Sequence, residues 1–484
     1  MTERSSLWLA LWGVGAITAI RVILLVVTPL QLYPDEAQYW WWAQHPAFGY
    51  FSKPPLIAWI IWLSTQAFGP ATWAIRLASP LLHAGTALLI YASSELVGGR
   101  RLALWSALVY ATLPGVAYSS GLMTTDVPLL FCWALALYAL LRALDEQGWR
   151  WTVVCGLAIG VGMLAKYAML FFALGLLLAA LISLKARRFV FSGRGLLVAA
   201  LAIVLILPNA YWNWSHHFPT IGHTAEDADW DTASYSLGNV FFFIAGQFGV
   251  FGPVLMIAFL IALWQLARSA RRSDRELTLA AMALPPIFLM LVQSFISVAN
   301  ANWAATSYIS ATPLAVMVLL EAPWALLSCL VIDVTAMLVL WAVLVRPGIS
   351  STLGLSNAFK REEGWQELGH AVTVAARSQG FDAIAVVNRS VMAEMTYYTP
   401  ARSVPLRAWD GNGIVADCFE MTMPLLPADR HVLLVLLPQE VRTVLPSFES
   451  VRPIRRVRTP VGGGLTRTVL LYDVRGYRSP RPAP

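Results

Sequence analysis

Between residues 1 and 345 the chain is a succession of apolar blocks separated by short polar loops. Each block approaches the ~20 residues that a helix needs to cross a hydrocarbon core. That pattern restricts the fold to a polytopic membrane helix bundle. Only 13% of residues are charged and 58% are hydrophobic, against about 25% charged in a soluble domain. About eleven spans are expected at this length per span, centred near Gly15, Leu88, Leu108, Ala136, Ala158, Leu176, Val204, Ile257, Phe288, Leu314 and Val334. The 152–182 block is long enough for two helices, with a break near Lys166-Tyr167. Leu7–Leu30 lacks a signal-peptide cleavage site and reads as a retained first helix.

Loop charges orient the bundle. Gly99-Arg100-Arg101, Lys185 to Arg188 and Arg268 to Arg275 are basic. With the N-terminus inside, all three fall on the cytoplasmic side, as positive charge in short loops requires. The opposite loops hold Asp35 and Glu36, Thr125-Asp126, His216 to Asp231 and Ala299 to Trp303, with few Lys or Arg. An odd number of spans puts the tail outside. The net charge of +7 therefore describes membrane orientation and the tail; it does not indicate nucleic acid. Of four cysteines, three lie in apolar blocks and Cys418 stands alone in the tail, so no disulfide framework or zinc spacing is present.

Two outer loops are long, 31–75 and 209–237. Within the first, Leu56 to Phe68 is apolar but too short to span, which suits a helix lying in the interface or re-entering. From Arg346 the composition changes. Gly364 to Ala376 reads as an amphipathic helix, and Ala383–Val387, His431–Leu437 and Thr468–Val474 read as strands. Residues 346–484 are thus expected to form a small α/β domain outside the membrane, ending in a disordered YRSPRPAP.

The residues able to carry chemistry gather at the outer ends of the spans, where ionisable groups at a membrane-buried site suggest function. Asp35 and Glu36 are neighbours, so on a helix they point in different directions; one can face a site while the other caps the helix that begins at Pro34. Lys53, before Pro54-Pro55, is held on a stiff extended segment. It suits a phosphate, and a snorkelling lysine is the plain alternative. Asp126, with Pro128, is ordinary helix N-terminus chemistry and also a candidate site acid. Lys166, Tyr50, Arg76, Asn302 and Tyr308 are further candidates for binding substrate. His216, His217 and His223, with Glu226, Asp227 and Asp229, match no strong metal motif, and a solvated loop is the simpler reading.

Taken together these residues resemble the C-type membrane glycosyltransferases, in particular the bacterial protein mannosyltransferase and aminoarabinose transferase superfamily. The resemblance rests on DEAQYW at Asp35–Trp40, FGYFSKPPLIAW at Phe48–Trp59, RLAS at Arg76–Ser79, TTDVPLL at Thr124–Leu130, LAKY at Leu164–Tyr167 and NWAATSY at Asn302–Tyr308. It covers nearly the whole membrane region and no motif of the tail. It implies a polyprenyl-phosphate sugar donor, an acceptor that is a glycolipid, another envelope glycan or a protein, and a multi-pass enzyme of the bacterial inner membrane with its site and C-terminal domain on the periplasmic side. By the same resemblance Asp35 is the general base, Lys53 contacts donor phosphate and Asp126 organises the acceptor side. Glu36, in the first motif, is a further candidate for binding substrate, and Arg76, Lys166 and His223 are candidates for further phosphate contacts.

The implied reaction is a single, inverting displacement. Asp35 takes the proton of the acceptor hydroxyl, and Lys53 stabilises the departing phosphate in a water-poor site. No nucleotide fingerprint is present. No cofactor is implied, no metal site is assigned, and dependence on a divalent metal is left open. A flippase or transporter of a lipid-linked sugar is the competing class; its charges would lie at mid-membrane on broken helices rather than at outer helix ends.

Overall fold

The computed structural model describes residues 3–146, 148–230, 233, 235–269, 272–399 and 404–478. The expected disordered end lies outside the described residues from Ser479 on, as do Asp231 of the second outer loop and Arg271 of the third basic loop. The chain divides into two compact units. One comprises Met1–Val26, Lys53–Ile60 and Arg76–Trp341; the other comprises Val27–Ser52, Ile61–Ile75 and Ala342–Pro484.

The first unit is helical. Among the described residues of the whole chain, six helices are long and apolar enough to cross a membrane, and shorter apolar helices accompany them. Each expected span centre falls on a helix. Ala78–Thr112 carries two centres because the chain kinks at Gly98 and Gly99, the latter at φ +77°. The break in the 152–182 block falls at Lys166, whose extended backbone separates Arg150–Ala165 from a 3-10 turn and Leu170–Ile182. Around Ile257, where a single span is expected, Leu237–Phe251 and Pro253–Arg268 meet at 105° about Gly252. Gly252 has φ +89° and so resists any side chain.

Packing follows membrane rules. Arg150–Ala165 lies so close to Gly193–Ser215 that a Cβ on Gly160 would meet Ala202 Cα at 3.2 Å, the small-residue contact that substitutes for a hydrophobic driving force in lipid. Trp133 and Phe172 meet edge to face at 5.1 Å in the core. Some buried polar groups are paired: Arg21 Nη2 donates to Ala111 O at 2.6 Å, and His83 bonds Tyr110 OH at 3.1 Å and Ser119 Oγ at 3.0 Å; others, Arg21 Nε and the hydroxyls of Ser93, Ser94 and Ser106 among them, have no partner among the described residues. Arg21 thereby satisfies one of the carbonyls that a helix end leaves open. The basic loops meet at one end of the bundle, where Asp145 takes Lys185 at 3.1 Å and Arg275 at 2.5 Å.

The second unit carries a five-stranded sheet of order β2-β1-β3-β5-β4, with β1 Ala383–Val386, β2 Leu406–Ala408, β3 His431–Leu436, β4 Phe448–Pro460 and β5 Thr466–Tyr477. β1 runs parallel to β2 and β3; β5 is antiparallel to β3 and β4. The expected helix forms over Trp365–Ser378, and the three expected strands are β1, β3 and β5. β4 is absent from the sequence reading because FESVRPIRRVRTP is charged and contains two prolines. An edge strand tolerates both, and a bulge between Pro453 and Arg455 takes up the irregularity. Tyr477, read as the start of the tail, closes β5 against Phe448. The same unit holds Pro34–Ala43 from the first outer loop, packed on the helix Arg389–Tyr398.

Candidate active site

In the second unit, Pro34 opens the helix Pro34–Ala43, and the two adjacent acids separate as their spacing requires. Glu36 is buried and its Oε2 accepts the Tyr33 N–H at 3.0 Å, so Glu36 does the capping. Asp35 points elsewhere. Its side chain is 40% exposed, and Oδ1 accepts from both Nη1 and Nη2 of Arg389, each at 3.2 Å. Among the described residues Oδ2 has no hydrogen-bond partner. Arg389 Nη1 also donates to Gln38 Oε1 at 2.7 Å, and Gln38 Nε2 donates to Ser52 Oγ at 3.4 Å. Desolvation works against the Arg389 charge, yet the Asp35 carboxylate outweighs it, and the guanidinium pKa lies above its ordinary value. Tyr50 stacks on Trp42 at 4.7 Å and closes its loop. Its hydroxyl accepts the Ala47 N–H and lies 3.1 Å from the Trp42 and His45 carbonyls. Burial pushes the Tyr50 phenol up to about 12.

In the first unit, three residues far apart in sequence converge. Asp126 is the first residue of Asp126–Asp145. Its Oδ1 accepts from Lys166 Nζ at 2.7 Å and its Oδ2 from Asn302 Nδ2 at 2.7 Å. Asp126 and Lys166 are only 15% and 22% exposed. Beside this cluster in sequence, Tyr167 OH donates to Asn209 Oδ1 at 2.7 Å and accepts from Asn213 Nδ2 at 3.2 Å. Lys166 sits at the helical break, with extended backbone between Arg150–Ala165 and the 3-10 turn.

A second cluster of that unit forms on Pro219–Ala228. Lys53 Nζ lies 3.5 Å from Asp227 Oδ2, and His223 lies 3.7 Å from both Asp227 and Glu226. Among the described residues no three His, Cys, Asp or Glu side chains form a metal-ligating group. Arg76 is fully buried. Tyr308 is buried, stacked on Phe251 at 4.2 Å and hydrogen-bonded to Gln247.

The structure thus joins Asp126, Lys166 and Asn302, and joins Lys53 with His223 through Asp227. Asp35 and Lys53 belong to different compact units. Arg389, Gln38, Asp227, Asn209 and Asn213 complete these networks without having been singled out as substrate ligands from sequence. Arg389 is 354 residues from Asp35, and no local pattern marks it. Asn209 and Asn213 did carry a signal, a polar pair one turn apart at the end of an apolar helix.

A profile of the dolichyl-phosphate-mannose-protein mannosyltransferase family matches residues 52–212. The chain is 35% identical over 432 residues to the lipid A galacturonosyltransferase RgtD of Rhizobium johnstonii, covering 89% of each protein. It is 34% identical over 187 residues to the undecaprenyl phosphate-alpha-4-amino-4-deoxy-L-arabinose arabinosyl transferase of Pseudomonas aeruginosa, covering 35% of this chain and 34% of that one. Among solved structures, ArnT from Cupriavidus metallidurans bound to undecaprenyl phosphate superposes with a TM-score of 0.65 at 15% identity, over 96% of this chain and 97% of that chain. That last likeness is one of fold.

Proposed function

The chain belongs to the C-type membrane glycosyltransferases of the protein mannosyltransferase and aminoarabinose transferase superfamily, and from that premise we propose that it transfers a sugar, with inversion, from a polyprenyl-phosphate donor to lipid A or the lipopolysaccharide core. The reaction takes place at the periplasmic face of the inner membrane, opposite the basic loops. Asp35 is the general base, Lys53 binds the donor phosphate, and Asp126, set by Lys166 and Asn302, organises the acceptor side. Because a relative matched over 89% of its length is a lipid A galacturonosyltransferase, a galacturonosyl donor and lipid A are the first pair to test.

The chemistry balances within one displacement. The acceptor oxygen attacks the anomeric carbon and its proton passes to Asp35. The bond from that carbon to the phosphate oxygen breaks, and polyprenyl phosphate leaves with the electron pair. A fixed ammonium in a water-poor site stabilises that leaving charge more than bulk water would allow.

The observation that carries this reading is the division of labour at the first motif. Glu36 caps the helix, so Asp35 is left half-exposed with one carboxylate oxygen open. The full-length protein in detergent, given polyprenyl-phosphate galacturonate and lipid A, should release polyprenyl phosphate and form glycosylated lipid A, both read by mass spectrometry. Asp35→Asn should abolish both products while leaving the fold intact. Retained transfer by that variant would refute the base assignment.

A further inference from the structure

We propose that Arg389, contributed by the C-terminal domain, is a positioning residue for Asp35. It fixes one carboxylate oxygen so that the other is presented to the acceptor hydroxyl. This rests on Asp35 being the base.

The geometry separates this role from an ordinary ion pair. A guanidinium commonly engages a carboxylate side by side, one nitrogen to each oxygen. Here both terminal nitrogens fall on Oδ1 at 3.2 Å, and Oδ2 is left without a hydrogen-bond partner among the described residues. Proton abstraction needs an available lone pair at a defined position, and a carboxylate pinned through one oxygen supplies it.

The guanidinium is itself held. Gln38 lies three residues after Asp35, on the same helix face, and accepts from Arg389 at 2.7 Å; Ser52 bonds the other end of the Gln38 amide. Arg389 is the first residue of the helix Arg389–Tyr398, whose N-terminus is capped by Asn388 Oδ1. Tyr397 and Tyr398 tie that helix to the outer loop, donating to Pro70 O at 2.6 Å and accepting from Leu32 N at 2.9 Å. A lysine could supply the charge but not a planar fork that reaches Asp35 and Gln38 together.

The test uses the full-length enzyme with saturating acceptor. Arg389→Ala should lower kcat on the order of 10²-fold, the scale of a misplaced catalytic group, with the donor KM nearly unchanged. Arg389→Lys should recover only a small part of the rate, and added methylguanidinium should partly restore Arg389→Ala. A kcat close to wild type for Arg389→Ala, beside an inactive Asp35→Asn, would overturn this role and leave the base assignment standing. Normal transfer by Asp35→Asn would instead sink the base reading itself. Should Arg389→Ala not fold, Gln38→Ala loosens the same guanidinium; an unchanged kcat there would overturn the proposal, and a kcat-only loss supports it.

Discussion

Asp126→Ala isolates the tightest charged contact of the candidate site. The variant removes acceptors for two hydrogen bonds of 2.7 Å, one from Lys166 and one from Asn302. At 2.7 Å and an effective dielectric of about 20, the gross ionic attraction is roughly 6 kcal/mol. Desolvation of the two ions offsets much of it, so loss of one partner of this partly buried pair should cost about 2–3 kcal/mol. The orphaned Asn302 amide adds about 0.5–1 kcal/mol, for a total of roughly 3 kcal/mol. Asp126→Asn keeps the volume and one acceptor, and should lose about half of that. The assay is thermal unfolding in detergent of Asp126→Ala, Lys166→Ala and the double variant. Removing Lys166 orphans the carboxylate in turn, so the double variant should be little worse than either single one, with a coupling near 2 kcal/mol. A midpoint for Asp126→Ala matching wild type, or strictly additive losses, would refute the structural role given to the pair.

Lys53→Ala should raise the donor KM by about tenfold, the equivalent of ~1.4 kcal/mol of phosphate binding, with the fold intact; unchanged donor titration would remove Lys53 from the phosphate role. Asp227→Ala should act in the opposite direction, leaving donor KM equal or lower, because it takes away the carboxylate that competes for Lys53; a raised KM would contradict that competition. Gly252→Ala should destabilise by about 2 kcal/mol or more in thermal unfolding, since φ is +89° and the new Cβ would sit 2.7 Å from Asp333 Oδ1. Tyr50 titrates at about 12 in the fold against about 10 unfolded. The neutral phenol is the favoured form, so its stabilisation is complete below pH ~10 and is lost as pH rises toward ~12. The stability gap between wild type and Tyr50→Phe should therefore narrow from pH 8 to pH 11; a constant gap would show that the phenol does not titrate on unfolding.

Much of the fold was written locally, and the superfamily with it. Span length, loop charge and the two motifs of the first outer loop are short-range signals, and they led to the bundle, to the break at Lys166 and to the helix Leu56–Phe68. The bend at Gly252 escaped because hydropathy does not change across it: Leu237–Phe251 and Pro253–Arg268 are both apolar. β4 escaped because four arginines hide the alternation that marks a strand. At the site, residue types were legible and partners were not. Asp126, Lys166 and Asn302 were each visible as polar groups at helix ends, but their convergence is tertiary. Arg389 lies in a segment with no motif, and only the packing of its helix on Pro34–Ala43 reveals what it touches.

Under the proposed assignment Lys53 and Lys166 are both candidates for the donor phosphate, and their environments differ. Lys166 is bound at 2.7 Å to a carboxylate that is itself tied to Asn302, with both members of the pair largely buried. An incoming phosphate would have to break that bond and leave Asp126 short of a partner, a cost of about 2–3 kcal/mol. Lys53 faces Asp227 at 3.5 Å, and Asp227 is 44% exposed and shared with His223. A contact that long, to a carboxylate that open to water, by itself contributes about 0–1 kcal/mol. On these two contacts alone the difference is roughly 2 kcal/mol, about a thirtyfold bias toward Lys53 as the lysine that would change partner under the proposed assignment. Lys166 is then better suited to holding Asp126 in one orientation throughout the cycle. Under the proposed assignment Lys53 serves the leaving group, while Lys166 and Arg389 each serve a carboxylate.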